Sequence, residues 1–292
     1  MIDRYHLRYF LAVVDTGNFS RAAAACNVSQ PTLSVGIAKL EKALGHPLFN
    51  RTNRRVALTQ AGARLLDHAR TIESGFAAAE RAVAGAAATR TVRIGVLSTI
   101  PRTTIEAFLV DRRSRGNGDR IEIVEGQDRD LRGRLARGRI DVALLALRDA
   151  DVSAGASAIV SEGYSLALPI AHPLAGRAIV AAEELANDAM IVRRHCELLS
   201  QTSRFFTARG VRPFFAARTT SDDKALAHVR AGLGITVMPD RFRESGVARV
   251  PLDAFDFVRA LGLVFAPHHD AAAMARSPTI AALVAAVAAT ET

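Results

Sequence analysis

Between residues 59 and 89 the apolar side chains Leu65, Ala69, Ile72, Phe76, Ala79 and Val83 recur at spacings of 4, 3, 4, 3 and 4. That period draws one narrow stripe along a helix, which Thr59 can cap and the run Ala84-Gly85-Ala86-Ala87-Ala88-Thr89 would end as a hinge. Such a stripe covers little against the chain's own body and much against a second copy. The helix is therefore expected to join two copies, with packing on its own body as the alternative. It also divides the chain into 1–58, 59–89 and 90–292.

The charge is divided the same way. Of a formal net charge of +9, residues 1–60 supply more than half, with eight basic side chains against three acidic ones. A compact basic module on a nearly balanced remainder suits a phosphate backbone, since each cation there releases condensed counterions; a merely solvated basic surface is the alternative. Cys26 and Cys196 lie far apart and form neither a disulfide framework nor a CxxC metal site. The longest run near the C-terminus without charge or strong polarity, 280–289, is far short of the roughly 18 apolar residues that span a bilayer, so no membrane association is expected. The opening residues mix Asp3, Arg4, His6 and Arg8 with apolar ones, unlike a secretory signal, and a cytoplasmic location is the expectation.

Within 1–58, Leu7, Phe10, Leu11 and Val14 make an amphipathic helix that Gly17 ends, and Asn18 or Ser20 caps a small helix rich in alanine. After the turn Asn27-Val28-Ser29, Ser29 caps a third helix with Pro31 in its first turn. Its residues Leu33, Ile37, Leu40 and Leu44 share one face. The opposite face centres on Val35, flanked by Pro31, Thr32, Ser34, Ala38, Lys39 and Lys42. Residues 48–58 read as two strands around a basic turn, a wing. This is the spacing of a helix-turn-helix whose third helix enters the major groove.

Beyond residue 90 short apolar runs alternate with helical patterns. Strands are expected at 92–97, 121–125, 141–147, 164–170, 189–193, 214–219, 235–238 and 261–266, and helices at 103–115, 128–137, 198–209, 222–231 and 279–288.

The pieces Leu7-Arg8-Tyr9-Phe10, Gly17-Asn18-Phe19-Ser20-Arg21-Ala22-Ala23, Ser29-Gln30-Pro31-Thr32-Leu33-Ser34, Pro47-Leu48-Phe49 with Arg51, and Leu58-Thr59 with Ala61-Gly62 recur in the order and spacing of one family. With Glu125-Gly126, His172-Pro173-Leu174-Ala175 and Gly232-Leu233-Gly234-Ile235 further on, the whole chain resembles LysR-type transcriptional regulators. The resemblance implies an α/β chain with an N-terminal winged helix-turn-helix, a long linker helix and an effector domain like a periplasmic binding protein. That domain would comprise subdomain I, 90–162 with 267–292, and subdomain II, 163–266. It further implies operator DNA, a small effector, a dimer through the linker helix, tetramers and contact with RNA polymerase as partners. At the DNA it places Gln30, Pro31 and Ser34, with Thr32, Val35 and Lys39 on the same face, and Arg51, Arg54 and Arg55 in the wing. The chain departs from the family at Val35 and Gly36, where Arg and Gln are usual, and glycine there costs the helix about 1 kcal/mol relative to alanine.

The effector is expected between Ser98, Thr99 and Ile100 on one lip and His195, Cys196, Gln201 and Thr202 on the other, and Arg193, Arg194 and His195 suggest that it is acidic. Cys196, near a helix start beside His195 and Arg194, has surroundings expected to lower a thiol pKa. Its position resembles that of the peroxidatic cysteine in peroxide-sensing members, which makes a thiol-based redox sensor the alternative reading. Phe205 and Phe206 stand where the resolving cysteine would be. No cofactor, metal or catalytic residue is expected. Ser221-Asp222-Asp223-Lys224 reads as a helix cap, Gly232-Leu233-Gly234 lacks a third glycine, and His268-His269-Asp270 follows Pro267 as a surface turn.

Overall fold

The structure is a computed structural model that describes residues 2–52, 55–84, 91–114, 119–267 and 271–289. Three helices form first: α1 (Arg4–Thr16), α2 (Phe19–Ala25) and α3 (Gln30–Leu44). Each starts at the residue whose side chain can accept a backbone N–H: Asp3 from Tyr5, Asn18 from Arg21 and Ser29 from Thr32. α1 and α3 end at Gly17 and Gly45, both left-handed at φ 63° and 72°. Strands β1 (Phe49–Thr52) and β2 (Arg55–Leu58) pair antiparallel as the wing. Phe10, Leu33, Ile37, Leu40 and Leu48 are fully buried at the centre of this unit.

Helix α4 (Gln60–Ala84) starts against the wing. The Thr59 hydroxyl donates to the Pro47 carbonyl at 2.7 Å and accepts from the Gly62 N–H at 3.0 Å. The expected apolar stripe divides. Ala69 belongs to the core of the N-terminal unit with Leu65 packed against it, whereas Ile72 and Phe76 are exposed. Arg4 lies over the Phe76 ring at 4.3 Å and pairs with Glu73 at 3.0 Å, tying α1 to the middle of α4. The run Gly85-Ala86-Ala87-Ala88-Thr89, read as a hinge, lies outside the described residues.

The next body is a five-stranded sheet in the order β4-β3-β5-β12-β6. Its strands are β3 (Thr91–Leu97), β4 (Arg120–Gly126), β5 (Val142–Ala146), β6 (Ala158–Glu162) and β12 (Arg259–Phe265). β3 runs parallel to β4 and β5, and β12 antiparallel to β5 and β6. Around it lie α5 (Arg102–Ser114), α6 (Asp128–Ala136), the short α7 (Asp149–Ser153) and α10 (Ala271–Ala275), and α11 (Pro278–Ala288). Ile94, Leu131, Leu144, Phe108 and Leu283 centre its core.

The second body has an antiparallel sheet β10-β7-β11 and a parallel pair β8-β9. These are β7 (Tyr164–Pro169), β8 (Ala189–Arg193), β9 (Phe214–Thr219), β10 (Thr236–Pro239) and β11 (Val247–Val250), with α8 (Leu199–Ala208) and α9 (Asp222–Arg230). Ile191 donates to the Ile235 carbonyl and Ile235 to that of Ala189, both at 2.8 Å, joining the two sheets.

Three differences from the sequence reading matter. Residues 259–265, assigned there to the second subdomain, pair with β5 and β6 and so belong to the first. β6 and β11 are edge strands too short and too interrupted, by Ser161 and Arg249, to stand out as apolar runs. Gly36 is buried beneath Tyr9, where a Cβ would come within 2.6 Å of the ring, so its cost to helix propensity secures the α1–α3 contact. No described helix is long and apolar enough to cross a membrane.

The α4–wing junction yields a paired prediction. A Cβ on Gly62 would fall 2.2 Å from the Leu48 carbonyl oxygen, whereas one on Gly75, also in α4, would meet nothing within 4 Å. Gly62→Ala should cost at least about 1–3 kcal/mol by overpacking, and Gly75→Ala should gain about 0.5–1 kcal/mol of helix stability. Urea unfolding followed by far-UV circular dichroism measures both, and equal effects would refute the packing described.

Candidate functional site

Two regions gather side chains that the fold does not need. The first is the outer face of α3. With Leu33, Gly36, Ile37 and Leu40 turned inward, helical spacing presents Gln30, Pro31, Thr32, Val35 and Lys39 to solvent, and Val35 is 54% exposed. The Gln30 amide donates to the Ser34 hydroxyl at 2.8 Å, and the Ser29 and Thr32 hydroxyls bond at 2.8 Å, so the polar groups of the first turn are fixed in direction. Behind them Glu41 Oε1 accepts the Leu48 N–H at 2.8 Å, holding the wing to the same helix. Arg51 and Arg55 lie on the wing strands, and Arg54, at the turn between them, lies outside the described residues.

The second region is the cleft between the two C-terminal bodies. β3 ends at Leu97 and the chain turns through Ser98, Thr99 and Ile100 into α5. Facing it, β8 ends at Arg193 and the loop 194–198 leads into α8. Gln127, at the start of α6, bonds His195 Nε2 at 2.7 Å across the opening. A polar cavity of about 870 Å³ lies there, bounded by Ser98, Gln127, Arg129, Arg137, His195 and Thr220.

Deeper in, the buried Arg259, first residue of β12, gathers both bodies. Its Nε donates to Glu162 at 2.9 Å, its Nη2 to the Thr99 carbonyl at 2.9 Å, and its Nη1 to the Thr99 hydroxyl at 2.9 Å and to Glu197 at 2.7 Å. The Thr99 hydroxyl itself donates to Glu197. Burial alone would lower the Arg259 pKa, but the carboxylates of Glu197 and Glu162 more than reverse it, and the net direction is upward. Beside this cluster Arg193 is clamped by Asp222 through two hydrogen bonds of 2.7 and 2.5 Å, donates to the Val237 carbonyl at 3.0 Å, and reaches Cys196 Sγ at 3.5 Å. Its pKa too is raised, because Asp222 outweighs the desolvation that would lower it. No group of three metal-ligating side chains occurs among the described residues.

With this geometry in view, two family models account for nearly the whole chain: the bacterial regulatory helix-turn-helix protein, lysR family, over residues 5–63, and the LysR substrate binding domain over residues 85–290. The chain belongs to the LysR family of transcriptional regulators. A probable hydrogen peroxide-inducible genes activator of Mycobacterium avium is 35% identical over 269 residues, covering 89% of this chain and 86% of that one. The DNA-binding transcriptional dual regulator OxyR of Escherichia coli K12 is 31% identical over 271 residues, covering 89% and 88%. Among solved structures, a full-length OxyR variant from Pseudomonas aeruginosa matches the fold with a TM-score of 0.69 at 22% identity, over 99% of this chain and 98% of that one. CbnR in complex with its target DNA matches at 0.55 and 21% identity over 98% of each chain.

In this LysR-type regulator the residues expected at the effector separate. Thr99 is fully buried at the centre of the cluster, and Ser98 and His195 border the cavity. Ile100 packs into the core of the first subdomain instead. Gln201 and Thr202 sit in the first half of α8, where Thr202 borders a second cavity of about 930 Å³ with Cys196, Phe206 and Val237, which Thr99 does not line. Of the positive charge expected to attract an acidic effector, Arg193 is already held by Asp222, and the unanticipated Arg259 by Glu162 and Glu197. The expected lowering of the Cys196 pKa is also reversed. Burial pushes the thiol up, opposed by Arg193 and reinforced by Glu197 and Asp222. Ser221 caps α9 as read, accepting the Lys224 N–H at 3.3 Å, while His268, His269 and Asp270 lie outside the described residues. Glu162, Glu197, Tyr164, Gln127 and Arg259 were not anticipated. An arginine ending the apolar run 189–193 was the available signal that a buried carboxylate must stand opposite.

The thiol makes a direct prediction. With its pKa raised, Cys196 is less ionised near neutral pH than a free cysteine. In a Cys26→Ser background its alkylation rate should be slow at about pH 7 and keep rising beyond about pH 9. A rate that levels off near neutrality would show that the burial seen here does not govern the thiol.

Proposed function

We propose that this DNA-binding regulator reads operator sequence with the outer face of α3 and changes its DNA-bound state when a small effector enters the cleft between Ser98–Thr99 and His195–Cys196. One observation carries the reading: Thr99, Arg259 and Glu197 bring the two subdomains and the strand that connects them to one point, so a ligand there acts on their relative position. Copies pair through the exposed part of α4 around Ile72 and Phe76, with tetramers and contact to RNA polymerase as the family's wider pattern. The protein acts in the cytoplasm, as a regulator and not as a catalyst.

On DNA, the amide of Gln30 suits an adenine edge, Val35 suits a thymine methyl, and Lys39 suits a phosphate. The wing arginines Arg51, Arg54 and Arg55 complete the basic surface. Gln30→Ala should relax base choice at one position and cost about 1–3 kcal/mol at the best site. Ser34→Ala, which releases the Gln30 amide, should give a smaller loss at the same position. Lys39→Ala should weaken all sequences alike and reduce the salt slope by about one. Fluorescence anisotropy on the region upstream of the gene measures each, and binding insensitive to salt would refute the reading.

A second reading has specific support. Cys196 stands beside Arg193 at the edge of the same cluster, and the Mycobacterium avium relative named above is a probable hydrogen peroxide-inducible genes activator. In that reading the input is oxidation of the thiol to a sulfenic acid, with no partner cysteine at Phe205 or Phe206 to form a disulfide. A reporter strain separates the two. If a ligand is sensed, Thr99→Val abolishes the response to an active metabolite while operator binding survives, and Cys196→Ser keeps it. The reverse pattern under peroxide would replace the effector reading with the thiol one.

A further inference from the structure

The cleft contains one carboxylate that reaches across from the second subdomain to the first. Glu197, next to Cys196 on the loop into α8, turns its carboxylate inward across the cleft, where Oε1 accepts from the Thr99 hydroxyl and from Nη1 of Arg259. Its other oxygen, Oε2, is buried and has no hydrogen-bond partner in the structure. A carboxylate serving only to brace the fold would normally have both oxygens satisfied, because an unpaired buried acceptor loses its hydration without recompense.

A guanidinium N–H and a hydroxyl converging on one carboxylate oxygen are the contacts a small carboxylate ligand would itself seek. The surrounding charge is also complete. Around the cluster two arginines, Arg193 and Arg259, face three carboxylates, Asp222, Glu162 and Glu197, leaving one negative charge in excess. The Tyr164 hydroxyl, on a residue only 5% exposed and with Arg259 over its ring at 5.9 Å, likewise has no partner. Within the cluster both guanidinium groups are already paired with carboxylates.

We infer that Glu197 is a built-in occupant of the cleft's anion seat, so that the seat formed by Thr99 and Arg259 refuses small carboxylates while Glu197 fills it. The regulatory consequence rests on the cleft being the sensing site; the binding itself does not. Glu197→Ala removes a CH2–COO⁻ group, the size of acetate, and leaves Thr99 and Arg259 facing the vacancy. Removing one partner of a buried ion pair is costly, so the variant should be less stable than the parent and regain stability when the carboxylate is returned.

The test is thermal unfolding of the full chain in chloride buffer, with acetate or its neutral analogue acetamide. Acetate at about five times its dissociation constant stabilises by about sixfold, which for a chain of this size raises the melting temperature of Glu197→Ala by about 2–4 °C. Acetamide should not do this, and acetate should not move the unsubstituted protein. Glu197→Gln, which fills the seat without the charge, should stay blind to acetate. Acetate stabilising the unsubstituted chain or Glu197→Gln as much as Glu197→Ala would overturn the inference, and so would no stabilisation of a folded Glu197→Ala. A Glu197→Ala chain that folds only with acetate is the expected result in stronger form. One that folds in neither condition would make Glu197 a structural ion-pair partner and overturn the inference. None of these outcomes reads transcription, so failure here leaves the sensing role of Thr99 to its own reporter test.

Discussion

Everything in the effector domain turns on one buried guanidinium. Arg259 opens β12 at the point where the chain returns from the second subdomain, and Glu162 ends β6 at the point where it leaves the first. The two face each other in register across the sheet, and their side chains pair at 2.8 Å with only 4% of each exposed. Burying such a pair costs several kcal/mol per ion, and the attraction offsets this only when every donor and acceptor is used. Here they are. Arg259 directs its remaining N–H groups to Thr99 and Glu197, and the second oxygen of Glu162 accepts the Arg241 N–H at 2.9 Å. Both crossings between subdomains are thereby pinned to the sheet of the first.

The second subdomain repeats the device twice. Arg193 is closed off by Asp222 and the Val237 carbonyl. Arg249 donates to the carbonyls of Met238, Phe242, Pro239, Leu166 and Ser165, joining β7, β10 and β11 from within, and burial lowers its pKa to about 10. At neutral pH it therefore stays charged. Lysine could not replace these residues, since a single ammonium cannot present five N–H groups in a rigid fork. A chain with 38 basic residues, nearly all arginine, thus uses part of that set as internal cross-links, and its overall charge overstates the surface available to nucleic acid.

What the sequence disclosed follows from which signals are local. Ser29, Pro31 and Gly45 are read from their neighbours alone, so the recognition helix and its exposed face around Val35 were legible in outline. The wing and most of the strands followed from apolar runs. The reason for Gly36 was not legible because it is Tyr9, two helices earlier in the chain. The cleft was half legible. Thr99 and His195 sit at strand ends, where open α/β sheets place their ligands. Arg259 and Glu162 were not, because their meaning depends on a pairing across 97 residues that no short pattern encodes. The Cys196 thiol was misjudged for a related reason. Its neighbours Arg194 and His195 are cationic, yet what chiefly sets its ionisation is burial by the fold, to which the adjacent Glu197 and the distant Asp222 add.

These contacts also differ in what motion would do to them. The Arg259–Glu162 pair joins adjacent strands of one sheet, so opening the cleft need not disturb it. The Gln127–His195 bond and the contacts of Glu197 with Thr99 and Arg259 cross from one subdomain to the other, and opening must break them. A ligand shifts the balance between open and closed forms only by what it binds differently in the two. In the proposed reading that difference is made at Thr99, Glu197, Gln127 and His195, with Arg259 and Glu162 as the fixed point in the sheet. One side chain takes part in both sets of contacts: the Nε edge of Arg259 holds Glu162 within the sheet, while its Nη1 group holds Glu197 across the cleft.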